Sequence, residues 1–61
     1  MDRELEWLAQ RYEVRIFQDG DCYTCIARAG PFHYAGWEPT VAAAISACFK
    51  AAGGPEEDGD E

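Results

Sequence analysis

Tyr12-Glu13-Val14-Arg15-Ile16-Phe17-Gln18-Asp19-Gly20-Asp21-Cys22-Tyr23-Thr24-Cys25 is the stretch that decides the fold. Apolar and polar residues alternate on either side of Asp19-Gly20, which is the period of a strand with two unlike faces. Asp-Gly between two such runs is a strong signal for a two-residue hairpin turn, because glycine reaches positive φ without steric cost. Closing the turn on Asp19-Gly20 pairs Ile16 with Tyr23, Val14 with Cys25 and Tyr12 with Ala27. Phe17 then lies opposite Cys22 and Arg15 opposite Thr24 on the reverse face. One face is wholly apolar, which pins the register.

Downstream, Gly30-Pro31 breaks the second strand, and Phe32-His33-Tyr34-Ala35 reads as a third. Phe32 and Tyr34 are expected on the apolar face, with His33, Ala35 and Trp37 on the other. Pro39 suits the first turn of a final helix, with Glu38 or Thr40 near its cap. Val41, Ile45, Cys48, Phe49 and Ala52 form one stripe at helical spacing, and Gly53 stops the helix. Upstream, residues 2–11 read as a helix with Asp2 as N-cap and Glu4 and Glu6 in its first turn. Met1, Leu5, Leu8 and Tyr12 make its buried stripe. Trp7 lies off that stripe and either widens the apolar face or stays free for contact. The expected architecture is α+β, in the order αβββα, with a three-stranded antiparallel sheet packed on the C-terminal helix.

Length and charge bound what such a chain can do. Sixty-one residues make one domain, and a chain of this size buries only roughly 60% of its unfolded surface. The net charge is −7, and Glu56, Glu57, Asp58, Asp60 and Glu61 supply most of it. Residues 1–53 are expected to form the compact domain and residues 54–61 a disordered acidic tail. The tail either keeps the protein soluble or steers it toward a basic partner. The start, Met1-Asp2-Arg3-Glu4, lacks the basic and apolar segments of a secretory signal, and no apolar run reaches the roughly 20 residues that span a bilayer. A cytoplasmic protein with reduced thiols is expected, in keeping with an odd count of three cysteines.

No residue cluster identifies a reaction. Cys22-Tyr23-Thr24-Cys25 has CxxC spacing, but on a strand the period of two sends the sulfurs to opposite faces, whereas zinc or redox use needs them together. Cys25 and Cys48 read as buried apolar thiols, and His33 as an exposed strand residue beside Arg28. Asp19 and Asp21 are explained by the turn they flank. No catalytic residue, metal or cofactor is expected. The outward sheet face carries more information: Arg15, Phe17, Thr24, Ile26, Arg28, His33 and Trp37 interleave arginines with large apolar groups. Such a face can stack and neutralise nucleic acid, yet the body of the chain is mildly acidic, and nucleic-acid binding calls for a basic footprint. Protein contact or self-association uses the same anchors without a positive field. The candidate contact residues are therefore Arg15, Phe17, Ile26, Arg28 and Trp37, with Trp7. The competing arrangement folds the first helix across this face and hides it.

Tyr12-x-Val14-x-Ile16, Asp19-Gly20 and Tyr23, followed by Gly36-x-Glu38-Pro39-x-x-Ala42 leading into an alanine-rich helix, resemble the N-terminal domain of HicB-type antitoxins over residues 12–52. That resemblance implies a βββα layer like part of a double-stranded-RNA-binding fold, which neutralises a small basic RNA-cleaving toxin by covering it. The family's paired glutamates at the helix start are Thr40-Val41 here, and the first helix is an addition. Where family members carry a C-terminal DNA-binding module, this sequence has its acidic run, so DNA autoregulation is not implied. Small acidic single-domain proteins also include phage- and mobile-element-encoded inhibitors of the anti-CRISPR type, which block a host nucleic-acid machine by surface contact. Either class predicts a non-enzymatic inhibitor of another protein that is basic or nucleic-acid-associated. A homodimer is expected as well, through the outward face or an edge strand.

Overall fold

A computed structural model describes residues 2–55. The chain runs α1 (Arg3–Arg11), β1 (Glu13–Asp19), β2 (Cys22–Ala29), β3 (Phe32–Glu38) and α2 (Val41–Ala51). The strands form one antiparallel sheet in the order β1-β2-β3. This is the αβββα, α+β architecture read from the sequence. The acidic run from Glu56 lies outside the described residues. Among those described, no helix is long and apolar enough to cross a membrane.

Each helix start is capped by a side chain that accepts otherwise unpaired N–H groups. Asp2 accepts from the amides of Glu4 (2.9 Å) and Leu5 (3.1 Å). Thr40, not Glu38, caps α2, its Oγ1 accepting from Ala43 N–H at 3.1 Å. Pro39 therefore lies just outside the helix rather than in its first turn. At the other end Gly53, with φ +84°, donates to the Lys50 carbonyl and Gly54 to the Phe49 carbonyl. Those two bonds are the Schellman arrangement.

The hairpin register is offset from the expected one by two residues. Asp19 pairs with Cys22, so the loop is Gly20-Asp21; Ile16 faces Cys25, Val14 faces Ala27 and Phe17 faces Thr24. Gly20 has φ +67° and, among the described residues, no non-glycine residue has positive φ. Glycine in the first loop position alone is the demand of a II′ turn, whereas placing Asp19-Gly20 in the loop would need positive φ at both positions. An offset of two keeps every side chain on its face, so the face assignments survive. The third strand continues to Glu38, with Cys25 opposite Gly36 and Thr24 opposite Trp37.

Both helices lie on one side of the sheet. Leu8 of α1 joins Cys25 and Ala27 of β2 and Ala44, Ile45, Cys48 and Phe49 of α2 in one buried cluster. Trp7 packs edge-on against Phe49 at 5.1 Å between ring centroids, and Tyr12 against Tyr34 at 5.8 Å. Ser46 Oγ donates to Glu4 Oε2 at 3.3 Å, joining the helices at their surface. Ala44 takes the buried position expected of Val41, which is 39% exposed. Gly36 lets α2 come close: a Cβ there would meet the Ala44 carbonyl oxygen, the Cys48 nitrogen at 2.6 Å and the Ala47 Cβ at 2.8 Å. Because α2 sits over β2 and β3, the far end of β1 is uncovered. Ile16, expected under the helix, is 38% exposed, and Phe32 at the opposite end of the sheet is 63% exposed.

Candidate functional site

With both helices on one side, nothing among the described residues covers the other side of the sheet. The pairing of the strands arranges that open face in rows. Phe17, Thr24 and Trp37 form one row, Arg15, Ile26 and Ala35 the next, and Glu13, Arg28 and His33 a third. Trp37 is 60% and Phe17 46% exposed. Thr24 between them is buried although it stands on the open side, because its cross-strand neighbours are large rings. The face thus grades from an aromatic end, through Ile26, to a charged end.

At the charged end Glu13 lies between two guanidinium groups, 3.9 Å from Arg15 and 3.6 Å from Arg28. All three side chains are well exposed, so the pairs add little to stability and remain free to exchange for a partner's groups. Glu13, Arg15, Ile26 and Arg28 line a shallow depression of about 270 Å³, open to solvent. Arg15, Phe17, Ile26, Arg28 and Trp37 are therefore brought together on one surface. Trp7 does not join them. It is half-buried in the seam between the helices on the opposite side, with the Arg11 guanidinium 4.3 Å above its ring. Its sequence position, one residue from the buried Leu8, carried no signal of which helix would meet it.

The thiols lie where the alternation puts them. Cys22 is half-buried on the open side, while Cys25 and Cys48 are fully buried under the helices. Cys48 Sγ donates to the Tyr34 carbonyl at 3.5 Å. Burial, reinforced by the neighbouring Cys48, pushes the Cys25 thiol up to about 12, and burial raises Cys48 too. A thiol so protected is a poor nucleophile and a poor metal ligand, since both roles need thiolate. Among the described residues no three His, Cys, Asp or Glu side chains gather into a metal-binding group.

No protein-family model, curated protein or solved structure matches this chain. The open face is thus the feature on which a functional reading has to stand.

Proposed function

We propose that this is a non-enzymatic binding protein whose open sheet face seats on another protein and inhibits it by covering it. The carrying observation is the placement of both helices on one side, which leaves Trp37 60% and Phe17 46% exposed on the other. Large rings held rigidly on a sheet lose little freedom on binding, and tryptophan, tyrosine and arginine dominate interface energetics. Ile26 fills the centre, and Arg15 and Arg28 form a rim whose pairing with Glu13 is weak enough to be rearranged.

The favoured partner is a basic protein. A net charge of −7 attracts such a partner over a distance of about a Debye length. It disfavours a polyphosphate chain, for which a basic footprint is required. The resemblance of residues 12–52 to HicB-type antitoxins leads to the same class, a small basic RNA-cleaving toxin.

A photo-crosslinking amino acid in place of Trp37, used in the native cell, tests this reading. The captured protein is then purified and titrated with the unmodified chain. The expected result is a basic partner whose activity falls as the chain is added, with Trp37→Ala weakening binding by about 30-fold or more, as for an interface anchor. Unchanged binding by both Trp37→Ala and Phe17→Ala rules the face out, and turnover of a substrate by the purified chain itself rules out the non-enzymatic reading.

A further inference from the structure

Two exposed apolar residues on β1 point to opposite sides of the sheet. Ile16, on the helix side, is 38% exposed, and Phe17, on the open side, is 46% exposed. A partner lying on the open face covers Phe17 and leaves Ile16 in water. Only a strand added alongside β1 extends both sides of the sheet and covers both residues.

The edge of β1 is suited to such addition. Natural sheets blunt their edges with charged side chains, proline, bulges or very short strands; β1 runs seven residues, Glu13–Asp19, with neither proline nor glycine, and its charges, Glu13, Arg15 and Asp19, are of both signs. It pairs with β2 residue for residue, without a bulge. Next to a two-residue loop, the closing pair Asp19–Cys22 exchanges both backbone bonds. Glu13, Arg15 and Phe17 then also bond toward β2, and the backbone groups of Val14, Ile16 and Gln18 point outward. Among the described residues no backbone group pairs with that outer edge. The opposite edge, β3, is less suited, because Gly36 within it offers no side chain to a neighbouring strand and α2 is packed closely on it.

We infer that the occupant of this edge is a second copy of the chain, pairing β1 with β1 antiparallel about a two-fold axis through Phe17. Among registers that keep most of β1 paired, charge favours this one, with Glu13 of each copy falling beside Asp21 in the turn of the other rather than within its strand. Centring the axis on Arg15 opposes two arginines, and centring it on Ile16 opposes Glu13 with Asp19. Centring it on Phe17 stacks the two rings at a non-hydrogen-bonded position, where side chains approach most closely. It also sets Arg15 of each copy opposite Asp19 of the other, and Ile16 opposite Gln18 with the second Ile16 diagonal to it. The contact is isologous and closes. It joins two three-stranded sheets into a six-stranded one, with all four helices on one side and both Trp37 rings on the other. The inference stands on the edge strand and does not need the partner reading of the face, although the dimer would present that face twice.

Sedimentation of the full chain across micromolar to millimolar concentration tests this, together with hydrogen exchange at the Ile16 and Gln18 amides. The expected result is a dimer that forms with rising concentration while those two amides gain protection. Arg15→Asp should shift the sedimentation coefficient to the monomer value, and adding Asp19→Arg should restore the dimer. Phe17→Lys provides a second disruption should Arg15→Asp fail to fold. A monomer throughout the range overturns the inference, as does protection of Ile16 and Gln18 that ignores concentration. A dimer indifferent to both Arg15→Asp and Phe17→Lys also overturns it. Trp37→Ala leaves this dimer intact while weakening partner binding, which separates the two proposals.

Discussion

Gly36→Ala is expected to be among the most damaging single changes this chain can suffer, although it adds one methyl group. The new Cβ would meet the Ala44 carbonyl oxygen, approach the Cys48 nitrogen to 2.6 Å and the Ala47 Cβ to 2.8 Å. Ordinary contact needs roughly 3.5–4 Å between carbon atoms, so α2 would have to retreat from β3 by about an ångström. Two of the three neighbours are helix backbone, which no change of rotamer can clear. Overpacking of this kind costs typically 1–3 kcal/mol and occasionally more, and rigid neighbours place it at about 3 kcal/mol. Replacing glycine returns no more than about 1 kcal/mol through the unfolded chain. A domain of this size has on the order of 3–5 kcal/mol in total, so the variant should lose, net, about half of it. At about 4–8 °C per kcal/mol, the midpoint should fall by roughly 8–16 °C. Urea and thermal unfolding followed by circular dichroism give both values. Gly36→Ala within about 0.5 kcal/mol of the parent, the range of an ordinary surface change, would refute the close approach. Full rescue by adding Ala47→Gly would show that the obstruction is the Ala47 side chain alone, not the backbone.

Leu8→Ala should cost about 2–5 kcal/mol, enough to leave the chain largely unfolded, because Leu8 is fully buried at the junction of both helices and β2; a native-like urea midpoint would show that α1 does not hold that junction. Asp2→Ala should cost about 1 kcal/mol through loss of the bonds to the Glu4 and Leu5 amides, and an unchanged midpoint would mean that this cap contributes nothing. Cys25 holds its proton in the folded state far above the ordinary value of 9.0, up to about 12, and Cys48 is raised as well. Since the unfolded chain releases those protons first as pH rises, the associated stability is intact below about pH 9 and is lost as pH rises toward 12. Urea midpoints that stay level over that window, or that fall equally in Cys25→Ala/Cys48→Ala, would contradict this. Under native conditions a thiol reagent should modify Cys22 and spare Cys25 and Cys48.

The elements and faces of this protein are legible in its residues because alternation, Asp-Gly and the capping signals act locally. The order αβββα follows from them, and so does the gathering of Arg15, Phe17, Ile26, Arg28 and Trp37 on one surface. Register was harder. Asp19-Gly20 names the turn but not which two residues occupy it, and the chain uses Gly20-Asp21. Because the offset is an even number of residues, every side chain stays on its side. What could not be read locally was how the layers meet. The stripe of Leu5 and Leu8 says that α1 buries a face, not which side of the sheet receives it, and Trp7 followed α1 into the helix seam. Nor does an isolated glycine in a strand reveal that α2 will press on it, as it does at Gly36. The exposure of Ile16 has the same origin, since it depends on α2 sitting over β2 and β3 rather than over β1.

Acrylamide quenching of Trp37 fluorescence, in a Trp7→Phe background, tests most directly that the open face is both uncovered and used. The ring should be freely quenched in the dilute chain and protected when the protein captured through position 37 is added in equal amount. A Trp37 already shielded in the free monomer, or one still fully quenched in the complex, would contradict the account.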